Sequence, residues 1–125
     1  MAPAIRHAVV GSRGFVDLQI VSRYVEALGP LVEVVSGDGS EVDGVAVAAA
    51  ARLGRAFEAM PADWRRLGTA AGPIRNHEMI DSVDRVTAFW DGFSPGTRDA
   101  IAYAAWRRKL AAVVIGPGTR EPRPR

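Results

Sequence analysis

The sequence predicts an α/β domain, a three-layer sandwich in which helices cover both faces of a parallel sheet. Three observations carry this. Five short β-rich apolar runs recur along the chain, segments with helical spacing separate them, and clusters of Gly, Pro, Ser and Asp punctuate their ends. Regular strand–helix alternation implies parallel strands joined by right-handed crossovers.

The elements follow in order. IRHAVVG (5–11) is the first strand, and Leu18, Val21, Val25 and Leu28 mark the first helix by their spacing. Gly29 and Pro30 stop that helix before the second strand, LVEVVSG (31–37). An alanine-rich helix over 41–54 ends at Gly54, and RAFEAM (55–60) is the third strand. A long connection, 61–73, leads into a helix of about ten residues, IRNHEMIDSV. RVTAFWDG (85–92) is the fourth strand, 95–108 the next helix and LAAVVIG (110–116) the fifth strand. A Rossmann-like strand order of 3-2-1-4-5 fits this alternation. The domain is expected over 1–116, with 117–125 a disordered Pro- and Arg-rich tail.

Composition narrows the function classes. A chain of 125 residues, 48% hydrophobic and 24% charged, has the profile of one globular domain. The longest apolar run, GVAVAAAA (44–51), is too short to span a bilayer, and the N-terminus lacks a signal-peptide core, so the expected compartment is the cytoplasm. The absence of cysteine excludes disulfides, thiol catalysis and thiolate metal sites. His7 and His77 are too few and wrongly spaced for a metal centre, so no metal is expected. The net charge of +2 does not by itself argue for nucleic acid.

In such sheets ligands bind beyond the carboxyl ends of the strands, where strand order reverses. The unusual residues fall there. In FWDGFSPGTRDAI (89–101), Ser94 is a good N-cap and Pro95 a good first helical residue, which leaves the amides of Gly96, Thr97 and Arg98 free for an anion. The competing reading is an ordinary capped turn. In GSRGF (11–15), Gly11 and Gly14 permit a tight turn, Ser12 offers a hydroxyl, and Arg13 suits a phosphate. The third glycine of a dinucleotide fingerprint is missing. In SGDGSEVD (36–43), Gly37 gives a flexible turn and Asp43 is suited to ribose hydroxyls; helix capping with Ser40 competes with that role. Arg75 and Asn76 sit in the first turn of their helix, where a cation is unfavourable without a bound phosphate or a nearby acid. Trp64, beside Arg65 and Arg66, either stacks on a base or anchors its long loop.

Together VVGSRGF, VVSGDGSEVD, PADWRRLGTAAGPIRNHEM and FWDGFSPGTRDAI resemble the SLOG superfamily, and within it the small YspA-like group of bacterial and phage proteins of unknown function. The resemblance spans residues 5–116 and implies a Rossmann-like fold that binds a nucleotide or nucleotide-derived ligand, such as a nucleoside phosphate, ADP-ribose or an NAD derivative. It implies a ligand site of Gly11, Ser12, Arg13, Gly37, Asp43, Arg75, Asn76, Gly92, Ser94, Gly96 and Thr97, with no further cofactor required. SLOG relatives include LOG enzymes, which hydrolyse the N-glycosidic bond of nucleoside monophosphates, and DprA proteins, which bind single-stranded DNA. Gly96-Thr97 and Arg75 match the LOG pattern, but its catalytic glutamate falls at Ala100, and Asp38, Gly39 and Glu41 depart from the branch pattern. A hydrolase would therefore rely on Arg75 and on Glu78, Asp91 or Asp99, of which Asp91 is best placed; a turn-forming role competes for Asp91. A DNA-binding role would use the scattered arginines with stacking aromatics.

The relatives commonly pair as homodimers. In AIAYAAWRRKL (100–110), Ile101, Ala104 and Ala105 fit a sheet-packed face, whereas Tyr103, Trp106 and Leu110 form a second stripe suited to a homo-oligomer contact.

Overall fold

The computed structural model describes residues 3–119. Along them run β1 (Ile5–Gly11), α1 (Leu18–Ala27), β2 (Val32–Ser36), α2 (Glu41–Arg52), β3 (Phe57–Ala59), α3 (Trp64–Leu67), α4 (Ala71–Ser82), β4 (Arg85–Trp90), α5 (Pro95–Trp106) and β5 (Leu110–Ile115). All strand pairs are parallel and the order is β3-β2-β1-β4-β5. The fold is the Rossmann-like three-layer sandwich that the alternation implies.

Neighbouring residues of each central strand point to opposite faces, and each face has its own apolar cluster. Ala8, Val10, Val86 and Ala88 pack with Met79 and Ile80 of α4 and with Ala100 and Ala104 of α5. Val9, Val34 and Phe89 pack with Val21 and Val25 of α1 and with Val42, Ala46 and Ala50 of α2. Short alanines let α2 lie close to the sheet. On α5 the buried pair is Ala100 and Ala104, one helical turn apart, and Ala105 is exposed rather than packed on the sheet.

Boundaries differ where local chemistry intervenes. β3 spans 57–59 and not 55–60, because the Arg55 amide is drawn to the Ala50 carbonyl at the end of α2 (2.9 Å). The connection 61–73 is not irregular: α3 and a 3-10 turn at Gly68–Ala70 lead directly into α4, which starts at Ala71. In β5, Val86 pairs with Leu110 and Thr87 with Ala112, so Ala111 is an extra residue that reverses the alternation. Leu110 therefore packs with the α4/α5 cluster and Val114 with the α1/α2 cluster, while Ile115 is left 69% exposed.

Residues 117–119, expected to belong to a disordered tail, have defined partners. Residues 117–119 run antiparallel along the loop after β1: the Val16 amide donates to the Pro117 carbonyl (3.0 Å) and the Thr119 amide to the Gly14 carbonyl (2.9 Å). A Cβ on Gly116 would lie 2.8 Å from the Phe15 ring, and one on Gly118 2.8 Å from Asp91 Cβ, so glycine is what lets this segment close down. Residues 120–125 of the expected tail lie outside the described residues.

One buried polar group links the sheet to α1. His7 Nε2 and the Tyr24 hydroxyl both bond the Thr87 hydroxyl (2.8 Å each), and His7 is 3% exposed. Burial, assisted by the nearby Arg85 cation, pushes the His7 pKa down to about 4. The imidazole is thus neutral in the folded chain and gains a proton on unfolding below its ordinary value. Since the unfolded chain then binds more protons, stability present above about pH 6.5 is lost progressively towards pH 4, by about 2–3 kcal/mol. Urea unfolding at a series of pH values should show this slope, and His7→Gln should flatten it.

Candidate functional site

Each strand's carboxyl end opens into a loop, and four of these loops meet around a cavity of about 220 Å³. The β1 loop contributes Gly11 and Arg13, the β2 loop Gly39, Ser40 and Asp43, and α3 Trp64. Gly72, Pro73, Arg75 and Asn76 come from the start of α4, and Ser94, Gly96 and Thr97 from the start of α5. The cavity lies where β1 and β4 separate, the point at which strand order reverses.

Side chains cap α1, α2 and α3, whereas α4, which continues from the 3-10 turn, and α5 have no side-chain cap. Asp17 caps α1, accepting from the Ile20 amide, and Asp63 caps α3. Ser40 and Asp43 form a full capping box on α2. On α5, Ser94 occupies the N-cap but makes no side-chain cap bond, Pro95 has no N–H, and the first turn holds no acid. The Arg98 amide bonds the Ser94 carbonyl (3.1 Å), so it is not a free donor as expected. The free donors are the amides of Gly96 and Thr97, which have no acceptor among the described residues. Nothing lies within 4 Å of where a Cβ on Gly96 would be, so a ligand can reach this backbone.

Arg75 has the acid that its position required. It is 8% exposed, and its Nη1 donates to Asp38 Oδ1 (3.1 Å) and to the Met60 carbonyl (3.0 Å), while Nε donates to Asn76 Oδ1 (2.8 Å). Nη2 makes no hydrogen bond among the described residues. Gly37 lies outside the cavity wall but creates room for this side chain: a Cβ there would be 2.5 Å from the guanidinium carbon. Gly11 similarly admits Val42, whose Cβ would be 2.5 Å from a Cβ on Gly11. The Nη2 atoms of Arg75 and Arg13 lie 3.6 and 3.9 Å from where a Cβ on Gly39 would be, so two cations converge on that loop.

Both acids take the structural roles that competed with ligand contact in the sequence, capping for Asp43 and turn formation for Asp91. Asp43 lines the cavity, yet its oxygens accept from the Ser36 hydroxyl (2.8 Å) and from the Gly39 and Ser40 amides (3.0 and 3.1 Å). It organises the loop rather than presenting a free carboxylate. Asp91 is buried and is not among the cavity-lining residues. Its Oδ1 accepts from the amides of Phe93 (2.9 Å) and Ser94 (2.8 Å) and from the Ser12 hydroxyl (3.3 Å). Burial acts to raise its pKa, but these bonds outweigh it and hold the carboxyl below its ordinary value. This is the turn-forming role, with Gly92 at φ 85° completing the turn. Ser12 sits below the wall, its hydroxyl joining Asp91 to Thr97 Oγ1 (3.2 Å).

The structure thus brings Gly11, Arg13, Asp43, Arg75, Asn76, Ser94, Gly96 and Thr97 to one wall, with Ser12, Gly37, Asp91 and Gly92 supporting it from behind. Gly39 stood out in the sequence only as a departure from the branch pattern, and Gly72 and Pro73 not at all; the signal available was their place beside Asp38 in the β2 loop and beside Arg75 in the first turn of α4. Among the described residues no cluster of His, Asp and Glu could hold a metal. No helix in them is long and apolar enough to cross a membrane. No protein-family model matches the chain and no curated protein matches it significantly.

Proposed function

We propose that this chain is a SLOG-like domain that binds a nucleotide or nucleotide-derived ligand, as a sensor or as an enzyme of divergent chemistry. The observation that carries the reading is the convergence of Arg75, with its free Nη2, and the open start of α5 on one cavity at the topological switch point. Guanidinium and amide donors facing one space are complementary to a phosphate. The cavity, about 220 Å³, lies below the ~300–1,000 Å³ typical of drug-sized ligands. That favours enclosure of one phosphate and sugar over a whole dinucleotide. Calorimetry with a panel of nucleoside monophosphates, ADP-ribose and NAD tests the proposal; no heat from any of them at millimolar ligand would overturn it.

Asp38 competes with such an anion for Arg75. Its side chain is 46% exposed, so replacing it frees Arg75 without a large packing loss. Asp38→Asn is expected to tighten nucleoside monophosphate binding by about 3- to 10-fold in the same titration.

Hydrolysis of an N-glycosidic bond receives less support, since among the described residues the carboxylate on the cavity wall is Asp43, which already accepts three hydrogen bonds. Assembly forms a separate part of the proposal. Trp106 is 74% exposed, and Tyr103 stacks on His77 (3.9 Å, 8°) while donating to Asp81 (2.7 Å). Trp106 is therefore left unpacked on a single copy, which supports a contact between copies through Tyr103 and Trp106. Light scattering should give at least twice the chain mass, and Trp106→Glu should lower it.

A further inference from the structure

We infer that Trp64 is the platform on which the ligand's heteroaromatic ring stacks, and that Arg13 occupies this platform until the ligand displaces it. The inference rests on the nucleotide reading above and specifies which part of the ligand the cavity rim selects.

Trp64 lines the cavity and is 43% exposed, a large apolar surface left uncovered beside a polar wall. It is rigidly held. Asp63 fixes α3 through the Arg66 amide (3.2 Å), and the edge of the indole rests on Gly72, where a Cβ would come within 3.2 Å of the ring. The Arg13 guanidinium carbon lies 5.8 Å from the indole centroid, the geometry of a cation on a π face.

Arg13 forms no ion pair among the described residues, so the indole is its principal partner. A nucleobase offers the same indole a larger flat surface, and base–aromatic stacking is stronger than an exposed cation–π contact. Both cannot occupy one face within 5.8 Å, because two stacked layers need about twice the aromatic thickness. The released guanidinium need not travel far, since its Nη2 already approaches the Gly39 loop beside Arg75. There it meets the phosphate. One movement thus uncovers the ring platform and adds a second cation to the anion site, so a ligand carrying both a base and a phosphate is selected over either alone.

The test compares adenosine 5′-monophosphate with ribose 5-phosphate, by calorimetry and by tryptophan fluorescence on the full chain. In the wild type the nucleotide should quench fluorescence and ribose 5-phosphate should not, and the quench should be absent from Trp64→Phe. Trp64→Ala should lower the ratio of nucleotide to sugar-phosphate affinity by about 5- to 100-fold. An unchanged ratio in Trp64→Ala, or a quench that persists in Trp64→Phe, overturns the stacking platform while leaving the nucleotide site standing. No binding of any nucleotide by the wild type would instead overturn the parent reading, and this inference with it.

Discussion

Arg75→Ala is expected to weaken nucleoside monophosphate binding by about 10- to 100-fold, the loss of one charge-assisted contact worth roughly 1.5–3 kcal/mol. The side chain is almost fully buried and three of its bonds go to protein, so its guanidinium is already oriented before a ligand arrives. Binding then costs little ordering of this side chain. Arg75→Lys should recover only part of the affinity. A lysine has no planar fork to hold Asn76, Asp38 and the Met60 carbonyl together while leaving one donor for the ligand. Arg65→Ala, at an exposed position outside the cavity wall, serves as the control for general charge. Titration calorimetry decides between them. Equal effects of Arg75→Ala and Arg65→Ala would mean that the anion is not bound at Arg75.

Phe89→Ala is expected to cost about 3–5 kcal/mol of stability, lowering Tm by roughly 10–20 °C in a domain of this size. The ring is fully buried, edge-to-face with Phe15 (5.8 Å) and with Tyr24 (5.6 Å), at the centre of the α1/α2 cluster. Its carbonyl also receives the Ser12 amide (2.9 Å), so the cavity this substitution leaves lies directly under the ligand wall. Differential scanning calorimetry gives the cost. Against a total stability of about 5–15 kcal/mol, it leaves a marginal fold.

Topology was legible because it depends on periodicity, and β1, β2 and β4 are nearly continuous apolar runs between glycine-rich ends. The β5 bulge was not legible: LAAVVIG is equally apolar in either alternation, and only pairing with β4 shows which residue is extra. Site residues were recognisable where backbone chemistry demanded them, as with Gly96 and Thr97 at a proline-started helix. The charged ones were harder. Arg75 was noticed because it offends the helix dipole, and the structure reveals two answers, an acid already present and a donor still free. Asp43 and Asp91 attracted functional readings because short acids after strands suit both ligands and turns. Sequence cannot separate these uses, since the deciding partners are backbone amides whose direction the fold sets.

The segment 117–119 joins a stretch made late to one made about a hundred residues earlier during synthesis. The loop bearing Ser12 and Arg13 directly follows β1, yet its backbone partners at Pro117 and Thr119 arrive roughly a hundred residues later. Sheet order imposes the same delay, because β1 must wait for β4 before the switch-point crevice exists. The cavity forms only after the sheet has closed, and a fragment ending before Pro117 would carry every wall residue while leaving the Arg13 loop unclasped.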